Sequence, residues 1–168
     1  MRKFARLLTV AVAALMLASV AGADQITNEA FAINLPAGFG AFAKQAQPVG
    51  DKKIETTNWI SKSPTGEAVV VTVSKLPGKI LDPTKMMAST RDGLLKTLNA
   101  TIDTDEKVAG DMPSELLTFH NASAFLRSSL VVNHDRLVQL LYVGRSADQR
   151  ALPGVTEMFN SFHITAAK

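Results

Sequence analysis

The chain has 168 residues, of which 46% are apolar and 20% are charged, and it carries a net charge of +3 and no cysteine. Arg2, Lys3 and Arg6 account for the excess charge, because the rest of the chain has 18 − 3 = 15 basic and 15 acidic residues. A neutral domain lacks the basic surface that nucleic-acid binding requires. The absence of cysteine excludes disulfides, thiolate metal sites and cysteine nucleophiles.

The first 23 residues have the pattern of a secretory signal peptide. Three basic residues precede an uncharged apolar run at Leu7–Val20, and small residues follow at Ala21–Ala23. We expect cleavage after Ala23. The remaining residues, 24–168, are expected to form one domain that is periplasmic or secreted. The apolar run is too short to cross a bilayer, and no cysteine follows it to carry a lipid anchor. The mature chain is therefore predicted to have no membrane span.

Short apolar stretches predict strands in the first half of this domain. Phe31–Leu35 ends at a proline, and Ile54–Ile60 leads into a turn that contains Pro64 and Gly66. Ala68–Ser74 is rich in β-branched residues on both faces, which predicts a central strand covered on both sides. Ala37–Val49 has weak periodicity and is interpreted as a loop.

The second half is predicted to contain two helices and several more strands. Asp82 and Pro83 form a helix start, and Asn99 is a suitable end. A second helix begins at Pro153. The strand candidates are Glu106–Ala109, Glu115–His120, Ala122–Asn133, Leu137–Arg145 and His163–Thr165. Turn residues at 133–136 predict a hairpin, and hairpin-length connections predict an antiparallel sheet and an α+β domain.

The order of segments resembles that of the family of the photosystem II extrinsic protein PsbP and its bacterial relatives, including the DcrB-like periplasmic proteins. The likeness lies in Phe31–Phe39, in Ala68–Val73 with the proline loop and helix after it, and in Asp135–Tyr142 followed by Phe159–Ile164. It implies an α+β sandwich in which an antiparallel β-sheet of about six strands is flanked by helices on both faces. Plant and cyanobacterial relatives support oxygen evolution, and other members lie in bacterial envelopes.

The residues that could carry chemistry are dispersed. No two of the three histidines stand at metal-ligand spacing, and His134 beside Asp135 lies in the predicted hairpin turn. The acidic residues between Asp103 and Asp111 lack the glycine position of a calcium loop and are interpreted as a solvated loop. Sequence motifs of serine hydrolases, metallopeptidases and phosphate-binding loops are absent. We therefore expect no metal, no cofactor and no catalytic residues.

Three aromatic residues are candidates for binding a partner. Phe39 and Phe42 lie in the Gly- and Ala-rich loop, where they could plug the edge of the sheet or form an apolar patch. Trp59 lies in a predicted strand, either in the core or as an exposed anchor.

These features favour a non-enzymatic, exported globular protein that binds an envelope protein or assists assembly. The first alternative is a carrier of a small apolar ligand, held in a cleft between sheet and helix. The weaker alternative is a hydrolase whose catalytic residues are dispersed along the chain.

Overall fold

The computed structural model describes residues 25–49, 54–109 and 112–165. The helices are α1 (Pro83–Leu98), α2 (Ala147–Arg150) and α3 (Pro153–Ser161). The strands are β1 (Gln25–Thr27), β2 (Phe31–Asn34), β3 (Ala43–Val49), β4 (Ile54–Lys62), β5 (Ala68–Lys75), β6 (Thr101–Val108), β7 (Ser114–His120), β8 (Phe125–Asn133), β9 (Arg136–Gly144) and β10 (His163–Ile164). The predicted signal peptide lies outside the described residues.

The strands form two antiparallel sheets. The main sheet has seven strands in the order β3-β4-β5-β9-β8-β7-β6, and the small sheet has three in the order β1-β2-β10. The α+β class with antiparallel strands is confirmed, although the main sheet exceeds the expected six strands. The strand β5, which the sequence placed at the centre, lies between β4 and β9.

The first face of the main sheet carries the larger core. Trp59, Val71 and Leu140 lie in one row across β4, β5 and β9, and all three side chains are buried. Phe31 from the small sheet and Met158 from α3 pack against them. This face is thus covered by a small sheet together with α3, which differs from the helix layer expected from the sequence.

The opposite face carries a second core beneath α1. Leu117, Phe119 and Leu130 project from β7 and β8 and are completely buried. Met87 is the buried residue of α1, and Leu94 packs on the same cluster.

The bounds of α1 follow from its two caps. The Asp82 carboxylate accepts from the Lys85 amide at 2.9 Å, and Pro83 occupies the first turn, where no amide partner is needed. Asn99 ends the helix in the left-handed conformation at φ 49°. Both predicted ends of this helix are confirmed.

Four segments differ from the sequence predictions. Ala43–Val49, inside the predicted loop, is strand β3, because all seven of its residues pair in register with β4, from Ala43–Ile60 to Val49–Ile54. Asp103, Asp105 and Glu106 of the acidic stretch predicted as a solvated loop belong to β6, an exposed strand whose backbone pairs with β7, and Asp111 lies outside the described residues. Strand β1 and helix α2 were not predicted.

In the described part of the chain, no helix has both the length and the apolar content needed to cross a membrane.

Candidate functional site

The most exposed large apolar side chain among the described residues is Leu81, immediately before α1. Leu81 is 91% exposed, whereas its neighbour Ile80 is 7% exposed and belongs to the core beneath α1. A groove of about 450 Å³ runs beside it, and we call this the Leu81 groove. Its lining residues are Leu76, Lys79, Ile80, Leu81, Asp82, Lys85, Met86 and Ser89.

Two backbone hydrogen bonds hold the loop that carries Leu81. The Leu76 amide donates to the Asp135 carbonyl and the Ile80 amide donates to the His134 carbonyl, each at 2.8 Å. Both acceptors lie in the turn between β8 and β9, which is the hairpin predicted from the sequence. With the Asp82 cap on its other side, Leu81 is presented from a segment that is fixed at both ends.

The charge around the Leu81 groove is predominantly positive. Lys79 and Lys85 are both exposed at its rim. Asp82 is the single acidic residue in the lining, and its carboxylate accepts a hydrogen bond from the first turn of α1. The groove therefore favours an apolar group that is accompanied by negative charge.

The three aromatic residues predicted to bind a partner lie in or beside the larger core. Trp59 is 8% exposed and lies 5.2 Å from the Phe31 ring, edge to face. Phe42 is half-buried at 5.9 Å from Phe31, and Phe39 is half-buried at 6.5 Å from the Tyr142 ring. Each packs on the core, and their role in partner binding stays a prediction.

Trp59 also lines a second, larger cavity of about 580 Å³ between the two sheets. Four charged side chains contribute to its wall, from Glu29, Glu55, Lys75 and Arg136. This charged lining differs from the mostly apolar lining that a carrier of an apolar ligand would have.

An aspartate and a histidine meet at the end of β6 and β7. Asp103 Oδ1 and His120 Nδ1 are 2.7 Å apart, and Arg150 from α2 donates to the other Asp103 oxygen. The hydrogen bond from Arg150 lowers the pKa of Asp103 below its usual range. Among the residues described, no serine hydroxyl bonds to His120, which the hydrolase alternative would require.

The acidic and histidine side chains are the residues of this chain that could ligate a metal ion. Within residues 25–49, 54–109 and 112–165, no three such side chains converge on one point. His134, which the sequence placed beside Asp135, occupies the β8–β9 turn with φ 54° and is exposed.

A polar cluster closes the turn between β4 and β5. The Glu67 carboxylate accepts hydrogen bonds from the Ser63 and Thr65 hydroxyls and, at 2.6 Å, from Nε2 of Gln149 on α2. The hydrogen bond from Ser63, followed by that from Thr65, lowers the pKa of Glu67 from 4.5 to about 2. The cluster fixes α2 to the turn.

No protein-family model matches the sequence, and no curated protein matches it. One solved structure similar to this chain is the solution structure of cyanobacterial PsbP (CyanoP) from Synechocystis sp. PCC 6803. The two are 13% identical, the match covers 88% of this chain and 95% of that chain, and the TM-score is 0.60. The chain has a PsbP-like fold. At this identity the likeness to CyanoP establishes the fold of the chain, which agrees with the resemblance seen in the sequence.

The Leu81 groove on this PsbP-like fold was not predicted. A signal for it is nevertheless present, because Ile80 and Leu81 are adjacent apolar residues in a turn segment, where only one can face the core. Leu81 also precedes the cap of α1, a position from which an apolar side chain often packs on the fourth helical residue, here Met86. At 91% exposure Leu81 does not bury itself in that way.

Proposed function

We propose that this chain is an exported, non-catalytic accessory protein that binds a partner protein through the Leu81 groove. The observation that carries the proposal is an almost fully exposed leucine on a loop held at both ends by hydrogen bonds. The PsbP-like fold supports an accessory role, although a fold alone does not fix a function.

The energetics of Leu81 favour an interface. Complete burial of a leucine side chain is worth about 1.5–3 kcal/mol, and this side chain gains almost none of it in the free protein. Because its loop is already ordered, binding would cost little additional conformational entropy. An exposed apolar side chain beside an apolar groove is a feature of protein interaction surfaces.

The rim of the groove defines the chemistry of the partner. Lys79 and Lys85 flank the apolar lining, so the partner segment is proposed to place an apolar side chain in the groove and acidic side chains opposite these lysines. Such charge pairs at a rim act mainly on the association rate and are screened by salt.

Export remains part of the proposal and rests on the leader at 1–23. Expression of the full chain in a Gram-negative host, followed by fractionation and intact-mass measurement, tests it. We expect the protein in the periplasmic fraction with Asp24 as its first residue. A cytoplasmic protein that retains Met1–Ala23 would contradict this part of the proposal.

Photo-crosslinking at position 81 tests the binding role. A photoreactive amino acid is placed at 81 and, as a matched control, at 152, where Leu152 is another exposed leucine at 49%. We expect one discrete protein adduct from position 81 that is lost in the Lys79→Glu/Lys85→Glu variant, and no such adduct from 152. Equal adducts from both positions, or binding of the purified protein to anionic vesicles in place of a protein, would overturn the proposal.

A further inference from the structure

The cavity between the two sheets has a mixed lining that the partner-binding proposal does not use. It lies between residues of β4, β5 and β9 on the main sheet and the β1–β2 connection of the small sheet, and its volume is about 580 Å³. Volumes of this size are typical of sites for small molecules.

One row of the main sheet places three charged residues in this cavity. Glu55 on β4 is the register partner of Lys75 on β5, and Lys75 is the partner of Arg136 on β9. Register partners lie about 5 Å apart at Cβ, so opposite charges in such a row can neutralise one another. Here no ion pair within 4.0 Å links Glu55 or Lys75 to another described residue, and Arg136 reaches only Asp135, at 3.9 Å from its Nε.

The remaining acidic residue of the lining is already paired. Glu29 contacts the Lys44 ammonium at 3.6 Å, and that ammonium lies 5.6 Å from the centre of the Trp59 ring. Glu55 is therefore the carboxylate best placed to receive a ligand cation. Arg136, with a side chain only 21% exposed, presents a planar guanidinium suited to a carboxylate.

Beyond the charged row the same face carries Thr57, Val73 and Trp59. Val73 lies two residues from Lys75 on β5, and Trp59 lies four residues from Glu55 on β4, all lining the cavity. With about 3.3 Å per residue, the cavity floor extends about 13 Å from the charged row to the indole.

We propose that this cavity binds a free α-amino acid with a large apolar side chain. The α-ammonium group binds Glu55, and the α-carboxylate binds Lys75 and Arg136. The side chain lies along Val73 toward Trp59. An α-amino acid suits this row because it carries a positive and a negative group side by side, opposite in sign to the Glu55 carboxylate and to the neighbouring Lys75 and Arg136 cations.

The experiment uses tryptophan emission and calorimetry with four probes. Trp59 is the only tryptophan of the chain, so its emission reports on this cavity. The probes are L-phenylalanine, N-acetyl-L-phenylalanine, L-phenylalaninamide and glycine. We expect L-phenylalanine to bind with a Kd below about 1 mM and to change the emission, and the other three to bind at least about tenfold more weakly.

Two variants assign each half of the ligand. Glu55→Gln is expected to weaken the binding of L-phenylalanine about tenfold, so that L-phenylalanine no longer binds more tightly than its N-acetyl derivative. In Arg136→Gln, L-phenylalanine is expected to bind no more tightly than L-phenylalaninamide. The matched controls are Glu157→Gln and Arg145→Gln, both exposed and outside the cavity, and they should bind like the wild type.

Three results would overturn the proposal. The first is the absence of saturable binding of L-phenylalanine up to about 10 mM. The second is equal affinity for the zwitterion and its blocked derivatives. The third is calorimetric binding that leaves the Trp59 emission unchanged, because the ligand would then bind elsewhere. None of them bears on the Leu81 groove, whose test is the crosslink at position 81.

Discussion

Arg91 on α1 donates from Nη1 to Oε1 of Glu115 on β7 at 2.9 Å, and the Glu115 side chain is 1% exposed. Burial raises the pKa of Glu115, and the hydrogen bond from Arg91 opposes that rise. Arg91 also binds Asp105 on β6 at 3.1 Å. A single guanidinium thus joins the helix to two strands at the edge of the main sheet.

Arg91→Met is expected to lower the free energy of unfolding by about 3 kcal/mol, because it leaves a buried carboxylate without its cation. The loss of unfolding free energy should be smaller near pH 5 than near pH 7. A buried carboxyl group with a raised pKa takes up a proton as the pH falls, and the neutral group no longer needs the Arg91 cation. Urea denaturation at the two pH values measures both effects. The double variant Arg91→Met/Glu115→Leu is the control and should recover most of the loss; a single variant as stable as the wild type would contradict the prediction.

Glu67→Gln is expected to reduce the sensitivity of the fold to acid. The pKa of Glu67 is lowered from 4.5 to about 2, so its ionised form stabilises the fold above pH 4.5 and this contribution is lost as the pH falls toward 2. Thermal unfolding across this interval should show a shallower decline for the variant than for the wild type. Glu157→Gln, at an exposed position of α3, should keep the wild-type slope. Parallel curves for Glu67→Gln and the wild type would show that the turn cluster does not act in this way.

Two glycine substitutions should change stability in opposite directions. Gly66 has φ 92°, a backbone conformation that residues with a Cβ rarely adopt, and an added Cβ would also displace the Arg145 guanidinium, so Gly66→Ala should destabilise the fold by about 1–2 kcal/mol. Gly93 lies inside α1 with nothing within 4 Å of an added Cβ, so Gly93→Ala should stabilise it by about 0.5–1 kcal/mol. Chemical denaturation measures both, and a change of the same sign in the two variants would refute the reasoning.

Substitution of Phe42 should lower the stability of the fold, whereas substitution of Leu81 should affect only partner binding. Phe42→Ala removes a half-buried ring that packs on Phe31 and is expected to cost about 1–2 kcal/mol. Leu81→Ser changes an exposed side chain and should alter stability by less than about 0.5 kcal/mol while it abolishes the proposed partner binding. Denaturation and a binding assay on the same samples compare the two. If Phe42→Ala instead leaves stability unchanged and abolishes binding, the partner site lies at Phe42, as the sequence first suggested.

Most of the fold could be predicted where one residue pattern dominates. The β-branched run in β5, the turn between β8 and β9 and the capped ends of α1 each have a local signal that agrees with the final contacts. Strand β3 and most of β6 lack such a signal, because edge strands bury little and their residues resemble those of a loop. Their structure depends on backbone pairing with β4 and β7, which the composition of the segment itself does not show.

The candidate sites were harder to predict than the fold. Phe39 and Phe42 are predicted to bind a partner from their place in a Gly- and Ala-rich segment, and Trp59 because exposed aromatic residues mark interfaces. All three pack on the core formed with the small sheet, and their binding role stays a prediction. The exposure of Leu81 depends on the hydrogen bonds that direct Ile80 inward. The row of Glu55, Lys75 and Arg136 exists only through the register of three strands that are distant in sequence.

The acidic character of β6 has a consequence for the behaviour of the protein in concentrated solution. This strand ends the main sheet, and beyond its bulge between Ile102 and Thr104 its unpaired side is open to another chain. Glu106, which has no ion pair within 4.0 Å among the described residues, places an exposed negative charge at that edge, and such a charge disfavours the joining of two copies into a continuous sheet. Replacing Glu106 with an apolar residue would weaken this protection against edge-to-edge aggregation.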